Sequence, residues 1–228
     1  MNNCAALFRA LCPVALLLPG TASAGENVLL SEDFSSFPAG KEPDLFILAG
    51  SFSVEAEEGG NHVLQIATGE LVDATVQLGD SLKTGGEIVA RIKGVQQRRS
   101  FPRFGVGLHG KAGFQLRVAP AARAVELLKG EDVIQTVPFT WTAGQWHLVR
   151  LRVAAIPNGG WSVSGWVWPE AAPAPSQALI DYIAEPGPLQ GKSSLFGTPF
   201  SGQPIQFDDV RITALDSLAT ETKAETKP

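Results

Sequence analysis

Two aspartates stand side by side, Asp208 and Asp209, in the run FDDVRI at residues 207–212. Aspartate is a poor strand former, and neighbouring like charges repel. Ile205 and Phe207 share one parity, while Val210 and Ile212 share the other. Side chains on a strand alternate strictly, so the buried face changes parity only through an extra residue. The spacing predicts a β-bulge at Asp208 and Asp209, a device that tolerates poor strand formers and re-aims a side chain. A carboxylate so placed can bind a hard cation. Alternatively it accepts hydrogen bonds from loop amides and pairs with Arg211 or a neighbouring lysine.

Glycosidic hydrolysis with retention needs two carboxylates about 5–5.5 Å apart, close to the separation of alternate residues on a strand. Glu70 and Asp73 have the wrong spacing. Glu55 and Glu57 are two apart, but Glu58, Gly59 and Gly60 already begin a turn, and solvated surface acids account for the group. Glu131 and Asp132, after Lys129 and Gly130, make a hairpin tip. His62, His109 and His147 are far apart and lack metal-ligand spacing. His147 falls on a core-facing register and is expected to be packed; His109, ending RFGVGLH, is the better site candidate. There is no Gly-x-Ser-x-Gly elbow and no phosphate loop. No catalytic residue is assigned.

All five tryptophans lie within residues 141–168. Alternation puts Trp166 and Trp168 on one face of a strand and Trp161, Val163 and Val167 on the other. Exposed rings stack on the apolar faces of sugars; the alternative is that the sandwich core and the Pro-rich stretch 169–177 bury both sets. Arg91, Lys93, Arg117, Arg150 and Arg152 point away from the apolar parity of their strands. On neighbouring strands they would form a basic stripe that grips carboxylate or sulfate oxygens bidentately. The alternative is a solvated face where arginine stems cover aromatics and pair with Glu87 and Glu126. The sugar-binding candidates are Trp166, Trp168, Arg150, Arg152, Arg117 and Arg91.

What must position these groups is a set of short strands. SFSVEAE, HVLQIAT, DATVQL, GEIVARIKG, RFGVGLHG, GFQLRVA and WHLVRLRVA all alternate, and most are bounded by Gly, Pro, Asn or Asp. About a dozen such runs predict an all-β sandwich or barrel with one face of each sheet buried. The N-terminus has one charge before Glu26, at Arg9, then an apolar run at 10–18 and the small residues Ala22, Ser23 and Ala24. This is a secretory signal peptide over residues 1–24, cut before Gly25, and it predicts a secreted or periplasmic protein. The run is too short to span a membrane. Both cysteines, Cys4 and Cys12, fall inside it, so the remaining chain has no disulfide and no thiol nucleophile. One domain is expected over residues 25–213, with a disordered polar tail over 214–228. The net charge of −5 argues against a nucleic-acid partner. Residues 91–152, however, hold 11 basic and three acidic residues, which leaves room for an anionic ligand.

The runs LLSEDFSSFPAGKEP, AGSFSVEAEEGGNHVLQIA, TWTAGQWHLVRLRV and FDDVRI follow, in that order, the pattern of concanavalin A-like lectin/glucanase sandwiches. More closely, residues 29–212 resemble laminin G-like and 3-keto-disaccharide hydrolase (family 16 glycoside hydrolase-like) domains of secreted bacterial proteins. ARIKGVQQRRSFPRFGVGL also resembles sandwich domains found beside quinone-type β-propellers. The resemblance implies a jelly-roll β-sandwich of two antiparallel sheets. It further implies a monomeric, carbohydrate-associated and non-catalytic module that binds an oligo- or polysaccharide. A glycoside hydrolase and a protein-interaction domain are the alternatives. Laminarinase-type relatives carry Glu-x-Asp-x-x-Glu on one strand; that motif is missing here, which weakens the hydrolase reading. Such sandwiches also hold a structural calcium between the chain ends. The matching positions are Asp209 or Asp208, Glu32 and Gly50.

Overall fold

The protein is described by a computed structural model covering residues 27–57, 59–69, 73–157 and 159–215. The described strands are β1 (Asn27–Glu32), β2 (Phe46–Ala49), β3 (Phe52–Ala56), β4 (His62–Ile66) and β5 (Ala74–Leu82). Then come β6 (Gly86–Gly94), β7 (Arg103–Leu108), β8 (Phe114–Ala119), β9 (Ala124–Lys129) and β10 (Asp132–Pro138). The last are β11 (Trp146–Ala155), β12 (Trp161–Pro169), β13 (Ile180–Ala184), β14 (Gly191–Thr198) and β15 (Ile205–Ala214). A 3-10 turn, Pro120–Ala122, joins β8 to β9. The expected signal peptide lies outside the described residues, as does the expected tail from Asp216 on. Ala214, expected in the tail, closes β15.

The strands form two antiparallel sheets. One runs β10-β9-β8-β7-β14-β5-β2, and the other β13-β12-β11-β6-β15-β4-β3, with β1 also paired to β15. This is the expected jelly-roll β-sandwich of two antiparallel sheets. The alternating apolar residues meet between the sheets, where Phe34, Phe104, Phe114 and Phe207 are fully buried among Ile, Leu and Val. Each such ring contributes about 1.5–3 kcal/mol by leaving water. The sheets approach closely where Leu116 of β8 meets Gly165 of β12; a Cβ on Gly165 would lie 2.6 Å from Leu116 Cδ1.

The bulge stands where parity places it. Asp208 pairs with Arg91 and Arg211 with Val89, so β15 has one extra residue there. Asp209 is the kinked residue, at φ 46°, and its N–H donates to Asp208 Oδ1 at 2.8 Å. The edge partner of β15 also changes at this point, from β4 at Phe207 to β1 at Val210. Left-handed backbone costs most residues about 1–2 kcal/mol, and glycine little. Asp209→Gly is therefore expected to unfold in denaturant within about 0.5 kcal/mol of the parent or above it, and Asp209→Ala about 1 kcal/mol below it. Equal midpoints for the two variants would show that the backbone there is not constrained.

Candidate functional site

The outer face of the eight-stranded sheet collects most of the residues singled out by sequence. Arg150 stands opposite Trp166, and Leu148 opposite Trp168. On the other side Arg150 faces Val89, Leu148 faces Arg91 and Arg152 faces Glu87. Arg91, Lys93, Arg150 and Arg152 thus form the stripe expected of neighbouring strands. Arg117 does not join it: β8 belongs to the other sheet, and alternation reports which face a residue takes, not which sheet. The stripe is charge-matched. Arg150 bonds Glu87 at 2.6 Å, with Arg152 3.9 Å from the same carboxylate, and Lys93 bonds Glu57 at 2.6 Å. Two of the rings are covered as well. Arg150 lies 4.6 Å over Trp166, and Arg91 and Lys93 lie 4.2 and 4.5 Å over Trp146. Trp166 and Trp168 are half-buried. This face is a lattice of ion pairs and cation–π contacts whose partners are already in place.

The closing-strand acids extend that lattice. Asp208 is 2% exposed. Its Oδ2 accepts from Asn61 Nδ2 at 2.8 Å and from the Arg91 guanidinium at 3.0 Å. Arg91 also reaches Glu170 at 3.1 Å and Asp209 at 3.6 Å. Burial raises the Asp208 carboxyl above its ordinary pKa, and the Asn61 amide, the Asp209 N–H and Arg91 pull it back. Glu32 neighbours the bulge, opposite Val210, and its carboxylate accepts the Phe34 N–H at 2.8 Å. Gly50 is elsewhere. Phe207, Leu64 and Val54 share one row, and Asp208 continues it away from Gly50, roughly 15 Å along the strands at ~3.3 Å per residue. Calcium takes six to eight oxygen ligands. Here a guanidinium already sits among the carboxylates, and among the described residues no three His, Cys, Asp or Glu side chains gather as a metal site. The residues do not fit calcium. Thermal unfolding in EDTA and in millimolar calcium is expected to coincide; a calcium-dependent rise would reverse this assignment.

Two of the histidines, His109 and His147, are buried against main-chain carbonyls. His109 Nε2–H donates to the Thr84 carbonyl at 2.8 Å and His147 Nδ1–H to the Gln145 carbonyl at 3.0 Å, both rings being buried. Burial lowers both pKa values, against a raising effect of each carbonyl. The unfolded chain then binds more protons than the folded one below about pH 6.5. Stability is expected to fall as pH drops through ~6.5 towards the lowered folded values. Scanning calorimetry from neutral to mildly acid pH checks this, with His109→Asn flattening the slope; a flat parent profile would refute it.

Arg117, a sugar-binding candidate from the sequence, instead joins residues not singled out there in lining a groove on the outer face of the seven-stranded sheet, with a volume of about 600 Å³. Two transverse rows make its floor. Gln77, Ser194, Gly107, Gln115 and Leu128 follow one another across β5, β14, β7, β8 and β9. Thr75, Phe196, Gly105, Arg117 and Glu126 form the next row. Glycine on β7 keeps the centre low: a Cβ on Gly105 would lie 2.8 Å from Phe196 Cζ and 2.0 Å from the Leu116 carbonyl. Leu48 and the Lys111–Glu131 pair (2.9 Å) line the groove too. Its charges are matched internally. Arg117 holds Glu126 at 2.7 Å, and Asp73 accepts from the Thr198 hydroxyl with Arg103 3.7 Å away. A strip of amides, hydroxyls and one ring, with its acids already engaged, can hydrogen-bond a polyhydroxylated ligand along its length.

No family model matches this chain, and neither does any curated protein sequence. Solved structures do. The alginate lyase Aly36B in complex with alginate trisaccharide superposes with a TM-score of 0.57 at 11% identity, over 83% of this chain and 99% of that one. The carbohydrate-binding module CBM66 from Bacillus subtilis gives 0.54 at 11% identity, over 76% and 98%. A Bacillus subtilis protein of unknown function with a galectin-like fold gives 0.54 at 10% identity, over 82% and 96%. At such identities the likeness establishes a shared fold, the lectin-type jelly roll.

Proposed function

We propose that this chain is an exported, non-catalytic glycan-binding protein that lays an oligosaccharide along the groove of the seven-stranded sheet. The observation that carries this reading is the pair of polar rows over a glycine floor. Gln77 and Gln115 each offer a donor and an acceptor to vicinal hydroxyls, Thr75 adds a hydroxyl, and Ser194 and Phe196, 6% and 4% exposed, lie at the bottom. The fold neighbours named above include a carbohydrate-binding module and a polysaccharide lyase, which agrees with this use of the fold. Binding is favoured over hydrolysis because Asp73, Glu126 and Glu131 each have a partner in place, and amides occupy the middle of the floor. The matched charges favour a neutral glycan. Export rests on the signal read in residues 1–24.

Calorimetry against neutral oligosaccharides tests this, with a glycan array to choose the sugar. Gln115→Ala and Gln77→Ala are each expected to weaken binding about tenfold, and Trp168→Ala to leave it unchanged. If Trp168→Ala abolishes binding and Gln115→Ala does not, the tryptophan face is the site instead.

A further inference from the structure

A second pocket opens at the loops. The β6–β7 connection, the Pro120–Ala122 turn with Arg123, and the β10–β11 connection enclose about 460 Å³. Phe101, Phe139, Trp141 and Pro120 supply apolar surface, and Gln96 and Arg123 line it with them. The rings are backed firmly. Trp141 stands edge-on to Phe104 at 6.0 Å, and both Trp141 and Phe139 lie 6.4 Å from His147.

The charge at this end is one-sided. Residues 88–125 hold eight basic residues and no acid, and residues 133–169 hold no acid either. On the sheet faces Arg91, Arg103, Arg117, Arg150 and Arg152 each face a carboxylate. Arg98, Arg99 and Arg123 are exposed and have no carboxylate partner among the described residues. Arg98 and Arg99 form the tip of the turn closed by two Gln97–Ser100 backbone bonds of 3.1 and 3.0 Å, in the segment whose Gln96 and Phe101 line the pocket.

The backbone adds a separate sign. Arg98 sits at φ 56° and Arg123 at φ 53°. Glycine is easier at both positions, and asparagine easier than arginine. The fold holds two cations without a carboxylate partner among the described residues where a strain-free sequence would place neither. Strain of this kind persists where a side chain has work to do.

We infer that this pocket is a second binding site, which takes an anionic sugar residue, a uronate or a sulfated sugar, through its aromatic wall and Arg98, Arg99 and Arg123. The aromatic surface receives the apolar face of the sugar ring, and the guanidinium groups hold the carboxylate or sulfate bidentately. The volume suits a small ligand or the end of a chain. That the ring is a sugar rests on the glycan reading of the protein; the anionic specificity rests on this pocket.

The test is calorimetry of the full protein with a uronate trisaccharide, a sulfated trisaccharide and a neutral one, at low and at physiological salt. The anionic sugars are expected to bind at least about tenfold more tightly here than the neutral one, and to weaken as salt rises. The better of the two identifies the acid. Arg98→Gly and Arg123→Gly are expected to melt at or above the parent temperature while losing about tenfold in anionic affinity. Gln115→Ala in the groove leaves that affinity unchanged. Anionic binding that survives both glycine variants, or glycine variants that melt well below the parent, would overturn the site. If neutral sugars bind through the groove and anionic ones do not bind, the second site alone fails; if no saccharide binds at all, the glycan reading fails with it.

Discussion

Replacing Asp208 by alanine is expected to cost about 3 kcal/mol of stability, because it strips a buried carboxylate from its donors. Arg91, Asn61 and the Asp209 N–H all donate to this group, which is 2% exposed. Arg91 would keep Glu170 and Asp209, both more exposed partners, so only part of its charge stays balanced. Asp208→Asn should lose markedly less. The raised pKa of Asp208 means that burial makes the negative charge itself costly. The sign follows: with the folded pKa above the unfolded one, the favourable contribution is complete at low pH and lost as pH rises through the raised value. An amide of the same shape avoids that cost and keeps an oxygen for Arg91 or Asn61. Equilibrium denaturation of the two variants at neutral pH decides the matter. Equal losses would mean that the charge, rather than the shape and hydrogen bonding, carries the effect.

Gly105→Ala is expected to be at least as severe, about 3 kcal/mol or total loss of the fold. The added methyl would meet the Leu116 carbonyl at 2.0 Å and Phe196 Cζ at 2.8 Å. A ring can turn aside, but a carbonyl of the adjacent strand cannot move without opening the ladder between β7 and β8. Any Gly105→Ala protein that does fold must displace Phe196, so its glycan affinity should fall more than that of Gln115→Ala. Circular dichroism and calorimetry together check this. A variant with parental melting and parental affinity would show that the floor is neither tight nor part of the site.

The contrast between the two sheets shows what alternation can and cannot reveal. Parity alone located the bulge, because Phe207 and Val210 disagree by one residue. Parity also separated Trp166 and Trp168 from Trp161, and put Arg91, Arg150 and Arg152 outward. It was silent on which strands become neighbours. Arg117 therefore looked like a member of the stripe although β8 lies across the core, and Gly50 looked like a neighbour of Asp209 although it lies beyond the far end of β3. The groove was hidden for the same reason. Gln77, Gln115 and Ser194 are remote in sequence and meet only through β14, which pairs with both β5 and β7. One local signal was present: in RFGVGL, glycines fill the outward parity, which is what a floor needs when a ligand must come close to the backbone. Arg98 and Arg123 carry no such signal, since nothing in the residues around them marks the left-handed backbone that they take.

The position of β15 has a consequence for how the chain is made. This strand, residues 205–214, lies between β6 on one side and β4 and β1 on the other. Until it emerges from the ribosome, the eight-stranded sheet is three separate pieces: β13-β12-β11-β6, β4-β3 and β1 alone. Every pairing of β15 joins segments more than a hundred residues apart, so ring-closing entropy must be met before any of them forms. A nascent chain that has reached β14 holds every strand of the seven-stranded sheet, while the eight-stranded sheet still lacks the strand that joins its pieces. Closure of the eight-stranded sheet is thus deferred until synthesis is nearly complete, and over that interval its unjoined edges stay open to wrong pairings.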